Sequence, residues 1–567
     1  MRQAILLAAF ACTAVAASQP SVLIENGTVC GADLPQFGQN LFLGIPYAQP
    51  PVGDLRLRPP LPINKTFGTL DATAYGPHCF SSFTTGFDDS TGYPTSEDCL
   101  TLNVIRPYGV SDSAPVPVVV WIHGGFFTTG GSADLRYNAT WIVEASVANG
   151  KPIMVVSINY RLASLGFLAG TALAEEGSLN LGLRDQRLAL HWVQENIAKF
   201  GGDPKAVTVQ GQSVRLAHTP AAGGFSILAQ ITAYSGRDDG LFARAIIESG
   251  TIGINYSHPA DPAFQSTYDS LLTNTNCSST ANSSTSIQLG CIRSLPIDQF
   301  RQASLGVIQP VFDGDIINVP GPLAALRAGN WTRVPFLVGS NTDEGQSFAP
   351  SGANTTTDVE EFISTLVPPD QIPGVVHLYP EDPALGCPFN TGDFQLDPIQ
   401  NGLFNTPGAQ NKRVGSIVGD VFMAAGARAL AQEVSSQVPF YKYRFNHKPY
   451  EVSFGVQDYV GHFTEVAYVF NTQNDDTAFW VTNHATATYL GPGAPIEDRF
   501  LGVYMSRSWA SFAATGDPNN ANVTTKINWP KYSEGGQNIV WQTQGSIIED
   551  DTFREAGMQF MIDSIFF

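Results

Sequence analysis

Val207-Thr208-Val209-Gln210-Gly211-Gln212-Ser213 is a short β-branched run that ends in a Gly-x-Ser corner. Such a run entering a glycine predicts a buried strand that turns sharply. A serine on that turn is the first half of a nucleophile elbow, a strained strand-to-helix corner that lifts the hydroxyl above a sheet. The full pattern, G-x-S-x-G, needs glycine two before and two after the serine, because neighbouring chain passes close by. Gly211 supplies the first, but Val214 and Arg215 follow the serine. Further on, Ala222-Gly223-Gly224-Phe225 appears, so removing the eight residues 214–221 would leave an unbroken G-Q-S-A-G-G-F. The motif is complete but interrupted.

The chain around it repeats the strand-turn theme. Residues 118–122 are a continuous apolar run, as expected of a strand buried on both faces, and lead into His123-Gly124-Gly125-Phe126-Phe127. The glycines there either turn backbone N–H groups toward a bound oxygen or make a plain turn. Residues 153–158 predict another strand, and 185–199 a helix with Leu188, Trp192, Val193 and Ile197 as its buried stripe, stopped by Gly201-Gly202. Alternating strands and helices predict an α/β protein with a parallel sheet. Further strands are expected at 245–247, 334–339 and 438–445, and over the second half of 97–104. Residues 43–53, LGIPYAQPPVG, are too rich in Pro and Gly for a helix or central strand and predict a crossing loop or an edge. Residues 278–286 read as a polar loop between two cysteines. Glu97 and Asp98 read as structural salt-bridge residues beside a cysteine rather than as catalytic carboxylates.

The totals restrict the function. In 567 residues, 43% apolar and 14% charged composition provides for a large core, and with no long linker a single domain is expected over residues 18–567. A net charge of −20 with no basic stripe argues against nucleic acid as a partner. Met1-Arg2, an apolar run over 4–15 and the small residues Ala14-Val15-Ala16-Ala17 predict a secretory signal peptide at residues 1–17. That run is short for a membrane span and no later stretch approaches ~20 uninterrupted apolar residues, so a secreted product without stable membrane insertion is expected. Nine N-x-S/T sequons, at Asn26, Asn64, Asn138, Asn255, Asn276, Asn282, Asn330, Asn354 and Asn522, agree with a glycosylated export. Cys12 would leave with the signal, and the six remaining cysteines permit 15 pairings. Proximity in sequence favours Cys79 with Cys99 and Cys277 with Cys291, leaving Cys30 and Cys387 open. No group of cysteines and histidines has zinc spacing.

A serine hydroxyl attacks only when a histidine within hydrogen-bond reach removes its proton, and a carboxylate must hold that histidine in the correct tautomer. On sheets that carry this elbow the order along the chain is Ser, Asp or Glu, His. Ser213, Glu344 and His462 satisfy it, although His377, His447 and His484 also lie beyond Glu344, with His447 the best rival. Other Gly-x-Ser serines, Ser111, Ser132, Ser226 and Ser347, have neither a preceding apolar strand nor the second glycine.

Taken together, Phe200-Gly201-Gly202-Asp203-Pro204 with the Gly211-x-Ser213 strand resembles the active-serine signature of the type-B carboxylesterase/lipase family, which includes fungal lipases and cholinesterases. Glu97-Asp98-Cys99-Leu100-x-Leu102-Asn103 is similar to its second signature. The likeness extends through Ser157-Ile158-Asn159-Tyr160-Arg161, the GSNTDEG acid loop at 339–345, the GHFTEV histidine loop at 461–466, and Trp509-Ala510-Ser511-Phe512 with Thr515-Gly516-Asp517-Pro518. The resemblance implies an α/β-hydrolase fold with a large central mixed, mostly parallel sheet flanked by helices. It implies Ser213 as nucleophile, His462 as general base and acid, Glu344 as orienting carboxylate, and hydrolysis of small-molecule or lipid esters through an acyl-serine without a cofactor. The family's two common disulfides match Cys79–Cys99 and Cys277–Cys291. Its oxyanion hole maps onto the backbone N–H groups of Gly125 and Phe126, where phenylalanine replaces the usual glycine and crowds the pocket. The third donor is normally an alanine after the nucleophile; that alanine is Ala222, or Val214 takes its place if the interruption is part of the protein. The interruption has three readings: a non-coding stretch read into protein, a loop that disables catalysis, or a loop accommodated with altered selectivity. The first restores the motif without another change; the second would leave a cholinesterase-like binding protein with an impaired site. Arg215 and His218 read as solvated loop residues.

Overall fold

The computed structural model describes residues 19–81, 93–213, 223–250, 252, 255–350, 352–382, 408–449, 459–472, 490, 493–524 and 526–566. The predicted signal peptide, residues 214–222, Cys387 and His484 lie outside the described residues.

Eleven strands form the central sheet: β1 (Ala32–Leu34), β2 (Gln39–Pro46), β3 (Thr101–Pro107), β4 (Val116–Ile122), β5 (Met154–Ile158), β6 (Gly202–Gln212), β7 (Arg244–Glu248), β8 (Phe336–Asn341), β9 (Phe440–Phe445), β10 (Gln537–Trp541) and β11 (Ile547–Asp550). Their spatial order is β1-β2-β3-β5-β4-β6-β7-β8-β9-β10-β11. Pairing is parallel from β5 through β10 and antiparallel toward both edges, so the sheet is mixed and mostly parallel. The β-branched runs behave as expected of strands covered on both faces: Val118, Val120 and Ile122 are buried on one face of β4 and Val119 and Trp121 on the other, and Val207, Thr208 and Val209 of β6 are all fully buried.

Four helices matter for the site. They are α1 (Leu181–Asn196), α2 (Gly223–Gly236, regular up to residue 232), α3 (Asn411–Val434) and α4 (Ile496–Thr515). α1 starts four residues before the predicted boundary, because Leu181 and Leu183 are buried with it and Asp185 is already engaged by Arg161 in a buried bidentate ion pair. Gly201 ends this segment in the left-handed conformation at φ 82°, but Gly202 belongs to the next strand and is not part of the stop. α3 is long and apolar enough to cross a membrane, with a mean hydropathy of 1.4, yet that window is entirely buried in the protein as a core helix. It contains one wide turn at Asp420–Ala424.

Two expectations are corrected. Leu43-Gly44-Ile45-Pro46 does not form a loop or sheet edge but ends β2, an interior strand. A register shift between Phe42 and Ile45 accommodates it, and the Gly44 N–H leaves the ladder for Asn103 Oδ1 at 2.9 Å. The region read as a polar loop at 278–286 contains a short turn of helix at Ser278–Thr280 and the start of a helix at Thr285–Ser294. Cys79–Cys99 and Cys277–Cys291 are disulfide-bonded, and Cys30 is buried. Glu97 takes both Nε and Nη2 of Arg56, at 2.6 and 2.7 Å, beside the first disulfide.

Candidate active site

The carboxyl ends of β4, β6, β7 and β8 converge on Ser213. β6 delivers the serine at φ 91°, a backbone conformation L residues rarely adopt. Two contacts hold it there: its N–H donates to the carbonyl of Glu248 at the end of β7 (2.9 Å), and its carbonyl accepts the N–H of Phe225 (3.2 Å). Gly211 and Gly223 meet at this corner. A Cβ on Gly211 would stand 2.5 Å from the Gly223 carbonyl oxygen, and one on Gly223 would stand 2.3 Å from the Ile122 oxygen. The chain that leaves at Ser213 is therefore back against Gly211 by Gly223, which occupies the place of the second elbow glycine.

His462 Nε2 lies 2.9 Å from Ser213 Oγ, and its Nδ1 lies 2.6 Å from Glu344 Oε2. With Nδ1–H donating to the carboxylate, Nε2 presents its lone pair to the serine hydroxyl. All three groups are withdrawn from solvent, with Ser213 4% and Glu344 1% exposed and the histidine side chain 9% exposed. The other Glu344 oxygen accepts the Asn341 N–H at 2.6 Å. Asp343 staples the acid loop to the histidine loop: it exchanges two bonds with Val460 and pairs with Lys412 at 3.0 Å. Asn341 adds a bond from Nδ2 to the Gly461 carbonyl at 2.7 Å. Gln212 Nε2 also lies 3.2 Å from His462 Nε2, a neighbour that the sequence did not suggest.

The rival residues stand elsewhere. His447 bonds Asp498 (2.8 Å) and Thr543 (3.2 Å), and His377 is exposed near the end of a short helix. Ser132 is tied to Asn103 and Ser226 to Gln186.

The loop after β4 faces the serine. Gly124 is so close that a Cβ there would come within 3.3 Å of Ser213 Cβ. The Gly124 carbonyl accepts His123 Nδ1–H, and the Gly125 carbonyl accepts the N–H groups of Thr128 and Thr129. Because each peptide is trans, these bonds turn the N–H groups of Gly125 and Phe126 the opposite way. Gly125 and Phe126 both have positive φ, 97° and 59°. Phe126 stacks edge-on against Phe348 (5.8 Å), which packs against His462 (5.2 Å), so the unusual phenylalanine walls the site. Phe127 is instead core, against Phe167 and Tyr160, and Trp141 packs on Phe37. Ala222 and Val214, the two candidates for the third donor, lie outside the described residues.

Beneath this loop sit two buried histidines. Burial lowers His123 to about 3. Burial lowers His78 from 6.5 to about 4 against a smaller upward pull from Asp134. Among the described residues neither ring nitrogen of His78 has a hydrogen-bond partner, and its ring stacks on Tyr93 at 4.4 Å and presses on Gly131. The folded state thus favours the neutral ring, so this contribution to stability is complete above pH 6.5 and is lost as pH falls toward 4. His78→Phe is expected to flatten the fall in melting temperature over that window, where the wild-type ring forfeits about 3 kcal/mol. Melting curves measured from pH 7 down to 4 check it; equal slopes in both proteins would exclude the role.

A model of the carboxylesterase family matches residues 18–560. "Secreted lipase 1" of Botryotinia fuckeliana is 33% identical, the match covering 92% of this chain and 89% of that protein. "Lipase 4" of Diutina rugosa is also 33% identical, over 96% and 95% of the two chains. Among solved structures, EstA of Aspergillus niger superposes with a TM-score of 0.78 at 26% identity, covering 96% of this chain and 99% of its own.

Proposed function

The chain belongs to the carboxylesterase family, and on that premise we propose that it is a secreted serine hydrolase that cleaves carboxylic esters through an acyl-serine. The observation that supports this reading most directly is the hydrogen-bonded row from Ser213 through His462 to Glu344 beside the β4 loop. His462 Nε2 takes the hydroxyl proton as Ser213 Oγ attacks the ester carbonyl, and Glu344 stabilises the imidazolium. The oxyanion is received by the N–H groups of Gly125 and Phe126. His462 then protonates the departing alcohol, and water, deprotonated by the same nitrogen, releases the acid. The relatives' names, two lipases, favour an acting enzyme over an impaired binding protein.

The expected substrates are small-molecule or lipid esters. The predicted leader at 1–17 and the sequons belong to the same proposal: the mature chain, one domain from residue 18, is exported and glycosylated. Rates on p-nitrophenyl butyrate and p-nitrophenyl palmitate test the activity and rank the two chain lengths. Release of p-nitrophenol from either supports the reading, and a folded protein that cleaves neither overturns it.

A further inference from the structure

Behind the histidine lies a cluster of acids that the reaction above does not use. Glu465, three residues after His462, and Glu248, at the end of β7, are both 0% exposed. Glu465 is connected to the catalytic row through Asn341, whose backbone N–H donates to Glu344 and whose Nδ2 donates to Glu465 Oε2, both at 2.6 Å. Ser249 Oγ donates to the other Glu465 oxygen at 3.1 Å. Glu248 differs. Its Oε1 accepts two N–H donors, Gln210 Nε2 (2.9 Å) and Trp509 Nε1 of α4 (2.7 Å), while Oε2 has no hydrogen-bond partner among the described residues.

Three buried carboxyls, Glu344, Glu465 and Glu248, therefore stand together. Among the described residues the ion-pair partner of the set is His462, on Glu344. The Tyr443 hydroxyl of β9 is buried within electrostatic reach of all three and, among the described residues, also has no hydrogen-bond partner. One cation at most cannot balance three anions buried together away from solvent, so the cluster must hold protons. An ionised Glu248 would leave a charged oxygen without a donor, whereas a protonated one places its hydrogen on Oε2. Both Glu465 oxygens, in contrast, are supplied with donors and can carry charge. The electrostatics agree: burial, and then Glu465, raise Glu248 well above the usual carboxyl value, and burial, then Glu344, raise Glu465 to about 7.

We propose that Glu248 carries the proton of a buried acid pair, and that Glu465 is a positioning residue whose charge, acting through Asn341 on the Glu344–His462 pair, tunes the basicity of His462. The inference rests on the ester-hydrolase reading of the Ser213 site. When Glu465 ionises it adds a negative charge near the imidazolium and holds its proton on to higher pH. Glu465→Gln removes that charge, so the acid limb of the kcat/KM profile is expected to move down by about one pH unit. Ser249→Ala withdraws one donor from Glu465, delays its ionisation and should move the limb the same way by less. A merely structural role would change the rate and leave the midpoint in place.

The test measures pH profiles on p-nitrophenyl butyrate for the wild type, E465Q and S249A, after melting curves show that each is folded. Infrared difference spectra of wild type against E248Q at pH 8 accompany them. Lower midpoints, together with a carbonyl band of a protonated acid that E248Q abolishes, support the proposal. Wild-type midpoints in the folded variants, or no such band, overturn it. If E465Q does not fold, S249A decides the profile. An inactive wild type contradicts the ester-hydrolase reading itself, and the infrared band still reports on the acid pair.

Discussion

Ser213→Ala is expected to lower kcat/KM on p-nitrophenyl butyrate by about 10⁴-fold or more, with the fold and melting temperature retained. The side chain is small, 4% exposed and bonded to His462, so its removal deletes the proposed nucleophile without opening a large cavity. The residual rate would come from the oxyanion donors and from ester binding alone. His462→Ala should cost a similar factor, and the double variant little more, because residues that act in one step do not contribute additively. A single variant retaining more than a hundredth of the wild-type rate would contradict the assignment of that residue.

Deleting residues 214–221 is expected to raise kcat by about 10²–10³-fold, the amount that one oxyanion donor contributes. The structure already holds the two ends that the deletion would join. Phe225 donates its N–H to the Ser213 carbonyl across a separation of twelve residues. Without the eight intervening residues that separation becomes four, which is the ordinary hydrogen bond of an α-helix beginning at the serine. Gly211 and Gly223 likewise already touch as the paired glycines of an elbow. The deletion would place Ala222 directly after Ser213, with its N–H and the start of α2 turned toward the developing oxyanion. Rates of the deletion variant beside the full chain check this. An unchanged kcat would mean that the full chain already supplies its third donor.

The parts of this fold that were legible in the sequence are those where one physical signal dominates. Runs such as 118–122 and 207–212 could only be buried strands, and their order with α1 between them implied the parallel sheet. Boundaries were less legible. α1 begins early because Arg161, on a distant loop, neutralises Asp185, and Pro46 ends a strand because Asn103 of β3 compensates the bulge at Gly44. The order of serine, glutamate and histidine was visible, but order alone left His447 as a rival, and it is Asp498 that holds His447 away. Gln212, Asn341, Ser249 and Glu248 carried no signal of their own. Each matters through a partner at least three residues away in sequence, and for Gln212, Ser249 and Glu248 one such partner lies beyond two hundred positions. The interruption at 214–221 obscured the elbow in sequence, although the space around Ser213 retains the shape of the uninterrupted motif.

The proposed chemistry depends above all on Ser213 being an activated nucleophile in the full-length chain. Treating the full-length protein with a fluorophosphonate ester and mapping the adduct by peptide mass measures this directly. One adduct per chain, on the peptide containing Ser213 and absent from S213A, is the predicted result. A folded, unlabelled protein, or an adduct on another residue, would contradict it.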